Sequence, residues 1–173
     1  PDDPEQDADV MKLYELLTSG ETTGIFQVEG AGMRRILRDM RPDQFQQIIA
    51  VLALYRPGPM ENIPSYIRRM HGEEEIQFHH SILQNILDDT YGIIVYQEQI
   101  MQIAVAMAGY KPGEADGIRK AVAKKVRYLM DKHKQMFLEG ALKKGIPEEV
   151  SEKVWADIEF FARYGFNRAH ATD

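Results

Sequence analysis

The chain has 173 residues, a net charge of −6, 44% hydrophobic and 28% charged residues, and no cysteine. It is long enough to bury a sizeable core as one domain or one lobe of a larger one, and its balance excludes a disordered tail. Disulfides and thiolate metal sites are excluded, no apolar run suffices for a membrane span, and the acidic start is unlike a signal peptide, so a cytoplasmic protein is expected.

Helical periodicity dominates the pattern. Residues 8–17 place Met11, Tyr14 and Leu17 on one stripe, closed by Ser19-Gly20, and residues 24–28 alternate as a short extended segment would. Gly30 and Gly32 lead into a short helix over 33–40 with Arg34, Arg35 and Arg38 on its outer side. Pro42 suits the first position of the next helix, whose broad apolar side is Phe45, Ile48, Ile49, Leu52 and Leu54. Arg56-Pro57-Gly58-Pro59 must break that helix, because proline fixes φ and lacks an amide donor.

A short helix follows over 63–70 and ends at His71-Gly72, and residues 73–80 read as a polar connection with a brief strand at 76–78. Residues 81–87 are helical, as are 95–108, which stop at Gly109 before a break at Lys111-Pro112-Gly113. A basic helix comes next, then a long one over 126–143 that closes on Gly145 with Lys143 and Lys144 in its last turn. Pro147-Glu148-Glu149 opens a final helix that turns Val150, Val154, Trp155, Ile158 and Phe161 to a core. Tyr164-Gly165-Phe166-Asn167 is expected to end it, with Arg168-Ala169-His170 opening another. The expected class is all-α, an irregular assembly of about eight to ten helices with Gly/Pro-rich loops and at most minor strand content. Neither end reads like a natural terminus, so a piece of a longer protein is expected.

Charge is unevenly spread. Residues 1–29 carry eight acids and one base, whereas residues 111–134 carry eight bases and three acids. Within the second stretch Lys120 and Lys124 are four apart and project from one helical face, flanked by Arg119 and Lys125. Like charges at that spacing cost a few tenths of a kcal/mol per pair unless an anion relieves them. A phosphate chain is one such anion; a solvated basic face is the plain alternative.

Four segments in order carry a resemblance: TTGIFQVEGAGMRRIL at 22–37, ALYRPGPM at 53–60, TYGIIVYQEQIMQIA with AGYKPGEADGIRKAVAKK over 90–125, and YGFNRAH at 164–170. Together they resemble the fingers region of bacterial replicative DNA polymerases of the C family, the polymerase III alpha subunits. The resemblance implies a fingers-type helical domain over 1–173, with 1–110 leading from the palm side and 111–173 supplying basic, nucleotide-facing helices.

It implies that Arg119 and Lys120 reach the triphosphate of an incoming deoxynucleotide. Lysine at the second position departs from the family's usual arginine pair, exchanging a planar fork for a point charge. Lys124 and Lys125 match a following basic pair, directed at phosphate or DNA backbone. Asn167, Arg168 and His170 match positions beside the new base pair, while Ala169 stands where serine is common. The catalytic aspartates and their Mg2+ belong to the palm of the parent, so no catalytic residue and no intrinsic metal is expected in this chain. Implied partners are primer-template DNA, dNTP, the palm, and other replicase subunits such as the sliding clamp.

Further candidates have weaker warrants. Arg56 at a rigid Pro-Gly turn suits an anion, but such turns are more often architectural, and the same holds for Arg34 and Arg35 after a Gly-rich entry. The run Glu73-Glu74-Glu75 reads as solvated, and Asp88-Asp89 as a turn. His71, His79, His80, His133 and His170 never fall at zinc spacing. Met101 and Met107 read as core packing, and Tyr91 and Tyr96 as core or boundary. The rival reading is a helical nucleic-acid-binding or protein-interaction module without nucleotide specificity.

Overall fold

A computed structural model describes residues 31–171, with side chains as far as residue 162; the helix predicted over 8–17 and the extended segment over 24–28 lie outside them. All regular structure among the described residues is helical, comprising eight α-helices joined by turns and short 3-10 segments. The chain divides into two compact units, Pro1–Tyr55 and Arg56–Asp173.

In the first unit, α1 (Ala31–Met40) buries Met33, Leu37 and Met40 at helical spacing and exposes Arg35 and Arg38. Helix α2 (Phe45–Leu54) begins three residues later than Pro42 suggests. The side-chain oxygen of Gln47 reaches back to accept the amides of Asp43 and Gln44 at 2.9 and 3.1 Å, which settles the start at Phe45. Its apolar side is also narrower than expected. Ile48, Val51 and Leu54 are buried, but Phe45 and Ile49 are 42% and 40% exposed. Residues 45, 49 and 52 form their own i, i+4, i+7 stripe, and a helix this apolar does not reveal which stripe faces inward.

The second unit opens with a turn through Gly58 at φ 93, then a 3-10 segment Pro59–Asn62 and α3 (Ile63–Met70). No strand forms at 76–78; those residues run without a ladder partner. A 3-10 turn Ser81–Leu83, α4 (Gln84–Leu87) and a second 3-10 turn Asp88–Thr90 follow, the last being the turn read from Asp88-Asp89. Buried Gln99 then sets the start of α5 (Gln97–Ala108): its oxygen accepts the amides of Val95 and Tyr96, and its nitrogen donates to Thr90.

Helix α5 ends on Gly109 in the left-handed region at φ 68. Pro112 does not break the chain; it is the first residue of α6 (Pro112–Lys124), where its missing amide costs nothing. Helices α7 (Arg127–Lys143) and α8 (Glu148–Ala171) complete the unit. Helix α8 continues through Gly165 and absorbs Arg168-Ala169-His170 instead of ending before them. An interior glycine costs a helix about 1 kcal/mol, against about 3 kcal/mol for a proline, and so does not by itself end one.

One core joins these helices, built on Ile100, Ile103 and Met107 of α5, Ile118 of α6, Phe137 of α7 and Trp155 of α8. Met101 packs against it as a partly buried neighbour. Helix α7 crosses α5 at Gly140, where an added Cβ would sit 2.1 Å from the carbonyl oxygen of Ala108. Beside that crossing, Lys144 donates to the α5 carbonyls of Ala106 and Val105 at 3.0 and 3.4 Å, so it caps α5 and not its own helix.

A second anchor holds the loop after α3. Glu73 and Glu75 are exposed, but Glu74 between them is also engaged: it accepts from Ser65, from Arg69 Nε at 2.7 Å, and from Arg68 Nη2 and Nε at 3.0 and 3.1 Å. Arg69 also donates to the Tyr91 carbonyl at 2.7 Å, tying the loop to the turn before α5. The Ser65 hydroxyl, then the two guanidiniums, hold the Glu74 carboxyl down at about 2.

Two expectations follow. On a solvent-facing helical site Gly→Ala would gain about 1 kcal/mol, but Gly140→Ala should lose about 2 kcal/mol in denaturant unfolding, because backbone cannot give way to a methyl. For Glu74 the lowered pKa sets the sign: its contribution is complete above the ordinary 4.5 and lost as pH falls toward about 2. Amide protection of Glu73 and Glu74, both bonded to the Arg68 carbonyl, should decline across that window, and Glu74→Gln should abolish the decline.

Candidate anion-binding site

Helix α6 is apolar below and charged above. Ala115, Ile118, Ala121 and Val122 are buried, while Asp116, Arg119 and Lys120 lie on the other side at i, i+3 and i+4. Asp116 serves both cations. Its Oδ1 accepts from Arg119 Nη2 at 2.8 Å and Nε at 3.0 Å, and its Oδ2 lies 3.1 Å from Lys120 Nζ. The Arg119 hydrogen bonds, and then Lys120, hold the Asp116 carboxyl below its ordinary range. One carboxylate against two cations leaves a net positive face.

The other basic residues of α6 end the helix. Lys124 is exposed in the last turn, where a cation complements the dipole. Lys125 is left-handed at φ 58 and donates its amide to the Ala121 carbonyl at 2.9 Å. A side chain in that conformation costs roughly 1–2 kcal/mol relative to glycine. Val126 is extended and α7 starts at Arg127, so two residues connect the helices.

Two contacts set where this charged face points. The Tyr110 hydroxyl lies 3.0 Å from His133 Nδ1 and donates to the His133 carbonyl at 3.2 Å, just before α6 begins. The His133 ring also lies along Gly117, whose Cβ would touch it at 3.6 Å. Burial pushes His133 below its ordinary value and Tyr110 above its own. A histidine that stays neutral here can pack between helices without needing a counter-ion.

The structure thus brings Arg119 and Lys120 together, with Lys124 in the last turn of the same helix and Lys125 just beyond its end. Arg56 is engaged elsewhere, with its guanidinium 4.6 Å from the centroid of the Phe161 ring on α8. Asn167, Arg168 and His170 fall in the last turns of α8, and their side chains lie outside the described ones. Among the described residues no three His, Asp or Glu side chains gather as metal ligands would, and no helix is long and apolar enough to cross a membrane.

Sequence reasoning passed over Asp116, although its spacing to both cations was there to be read. It also missed a cavity of about 680 Å³ walled by residues such as Arg69, Leu83, Ile94, Ile103, Val154 and Phe161. Those residues come from segments far apart in the chain, so no local motif signals the cavity. None of the candidate cations on α6 lines it.

The family described as the bacterial DNA polymerase III alpha subunit finger domain matches residues 4–145. That span contains Arg56, Arg119, Lys120, Lys124 and Lys125 and stops short of Asn167. The chain is 52% identical over 160 residues to the DNA polymerase III subunit alpha of Bacillus subtilis, covering 92% of the chain and 14% of that relative. It is 48% identical over 162 residues to the Aquifex aeolicus subunit, again 92% and 14%. For the Staphylococcus aureus Mu50 subunit the identity is 50% over 163 residues, 94% of the chain and 15% of the relative. The chain therefore spans about one seventh of the length of these relatives.

The shared carboxylate has a measurable signature. In a carboxyl NMR titration Asp116 should protonate below the ordinary aspartate range, and Arg119→Ala should raise its pKa more than Lys120→Ala does. Equal effects would contradict the bidentate contact from Arg119.

Proposed function

Since the chain belongs to the finger-domain family of bacterial DNA polymerase III alpha subunits, we propose that it forms the fingers of a replicative, template-directed DNA polymerase. The parent reaction adds a deoxynucleotide to a primer 3′ end and releases pyrophosphate. In-line displacement at the α-phosphate moves negative charge onto the departing pyrophosphate, and fixed cations beside it lower the barrier.

Arg119 and Lys120 supply that charge here. The observation that carries the reading is their pairing on one exposed carboxylate within the family-matched span. A site that already satisfies two cations with carboxylate oxygens has the spacing to satisfy them with phosphate oxygens. Lys120 contributes charge without the bidentate geometry of an arginine.

Lys124 and Lys125 extend the positive face toward phosphate or template backbone. Arg56, half-buried against Phe161, is assigned to phosphate or DNA backbone. Asn167, Arg168 and His170 take the side of the new base pair. The Mg2+ ions of such a reaction are assigned to carboxylates outside this chain, and no step performed by these residues depends on holding a metal. The partners are primer-template DNA, dNTP, the palm and further replicase subunits such as the sliding clamp, in the cytoplasm.

In the full-length polymerase, Arg119→Ala should lower kcat/KM for dNTP by about a hundredfold, while primer-template affinity changes by less than about twofold. A variant with intact incorporation kinetics removes the triphosphate role. Equal losses in dNTP use and DNA binding would instead favour a nucleic-acid-binding face without nucleotide specificity.

A further inference from the structure

We propose that Asp116 is a resident counter-ion of the triphosphate site, holding Arg119 and Lys120 between turnovers and reclaiming them as pyrophosphate leaves. This inference rests on the triphosphate role given above to those two cations, and it assigns Asp116 a part in product release.

The geometry supports exchange. Asp116 reaches both partners from one helical turn below, through separate oxygens, at 2.8 and 3.1 Å. No other element has to move for the pairs to open. All three side chains are open to solvent, at 41% for Asp116, 37% for Arg119 and 58% for Lys120, so a dissolved anion can approach them directly. The cations therefore meet each arriving phosphate with a competitor already in place.

Magnitudes decide which way removal of the carboxylate acts. An exposed helical ion pair shifts an equilibrium by only about twofold, so Asp116 adds little to the orientation of the two cations. Its full negative charge lies within a few ångströms of the place a polyanion would occupy, and at that range even well-screened repulsion amounts to several-fold in affinity. Competition outweighs positioning.

The competitor acts unequally on substrate and product. A base-paired dNTP has further contacts that offset the displacement of Asp116, whereas free pyrophosphate is held by its charges alone. A carboxylate that returns to the same nitrogens therefore speeds loss of the product more than loss of the substrate. Asp116 acts only through Arg119 and Lys120 in this scheme and touches no reacting atom.

The test uses the full-length polymerase with Asp116→Asn, Asp116→Glu, Arg119→Ala and the Asp116→Asn/Arg119→Ala double variant. Inhibition by pyrophosphate, KM for dNTP and primer-template affinity are measured for each. Asp116→Asn should tighten pyrophosphate inhibition about three- to tenfold, lower KM by a smaller factor, and leave primer-template affinity unchanged. Asp116→Glu should restore inhibition close to the parent, and the asparagine should have a smaller effect once Arg119 is alanine, because only the Lys120 pair then remains to be released. Unchanged or weaker pyrophosphate inhibition in Asp116→Asn, with Arg119→Ala also weakening it, overturns the counter-ion role and leaves the triphosphate role standing. If Arg119→Ala changes neither inhibition nor KM, the triphosphate role falls and the counter-ion role falls with it.

Discussion

The crossing of α7 over α5 is made by backbone against backbone. At Gly140 the missing side chain lets α7 settle onto the Ala108 carbonyl, and the 2.1 Å that a Cβ would find there leaves no room for any other residue. Much of the second unit depends on this approach. It brings Lys144 onto the open carbonyls of α5 and lets the buried ring of Phe137 reach Trp155, 5.7 Å between centroids. Two residues beyond Ala108, Tyr110 is close enough to bond His133, and α6 starts from that anchored point. The charged face of α6 is thus oriented by a contact with no charge in it.

Electrostatics in this chain is organised by sharing. Glu74 collects two arginines and a hydroxyl, and Asp116 collects an arginine and a lysine. The two carboxylates do different work because their surroundings differ. Glu74 ties a loop to α3, and its partner Arg69 is largely covered and committed to the Tyr91 carbonyl, so opening that network would strand polar groups. The Asp116 group lies on the surface of a single helix, where opening costs little and water can replace every bond. The first arrangement suits architecture and the second suits exchange with a solute.

Local signals in the sequence were dependable wherever a local cause was decisive. Gly109 ends α5 because its freedom in φ is a property of the residue itself, whereas Pro112, read as part of a break, is the first residue of α6. Arg119, Lys120 and Lys124 were legible from spacing as residues of α6, whereas Lys125, read as flanking the same face, lies past the helix end in the left-handed region. Readings failed where tertiary structure chose among local options: the buried stripe of α2, the unformed strand at 76–78, the passage of α8 through Gly165, and the engagement of Glu74. Gly140 gave no sign of its importance, since a glycine inside a helical pattern looks like a small local loss until the opposing helix is known. For the candidate site, the cations could be read and their grouping on one carboxylate could also have been read. The side chains of Asn167, Arg168 and His170 are matched by motif alone.

The joint at Lys125 has a mechanical consequence. A residue bearing a Cβ occupies a much smaller left-handed basin than glycine does, and here it is one of two residues between α6 and α7. Such a connection behaves as a stiff elbow and not as a slack hinge. The angle between α6 and α7 is therefore restrained by the backbone of the joint itself, and not only by the side chains packed beneath it.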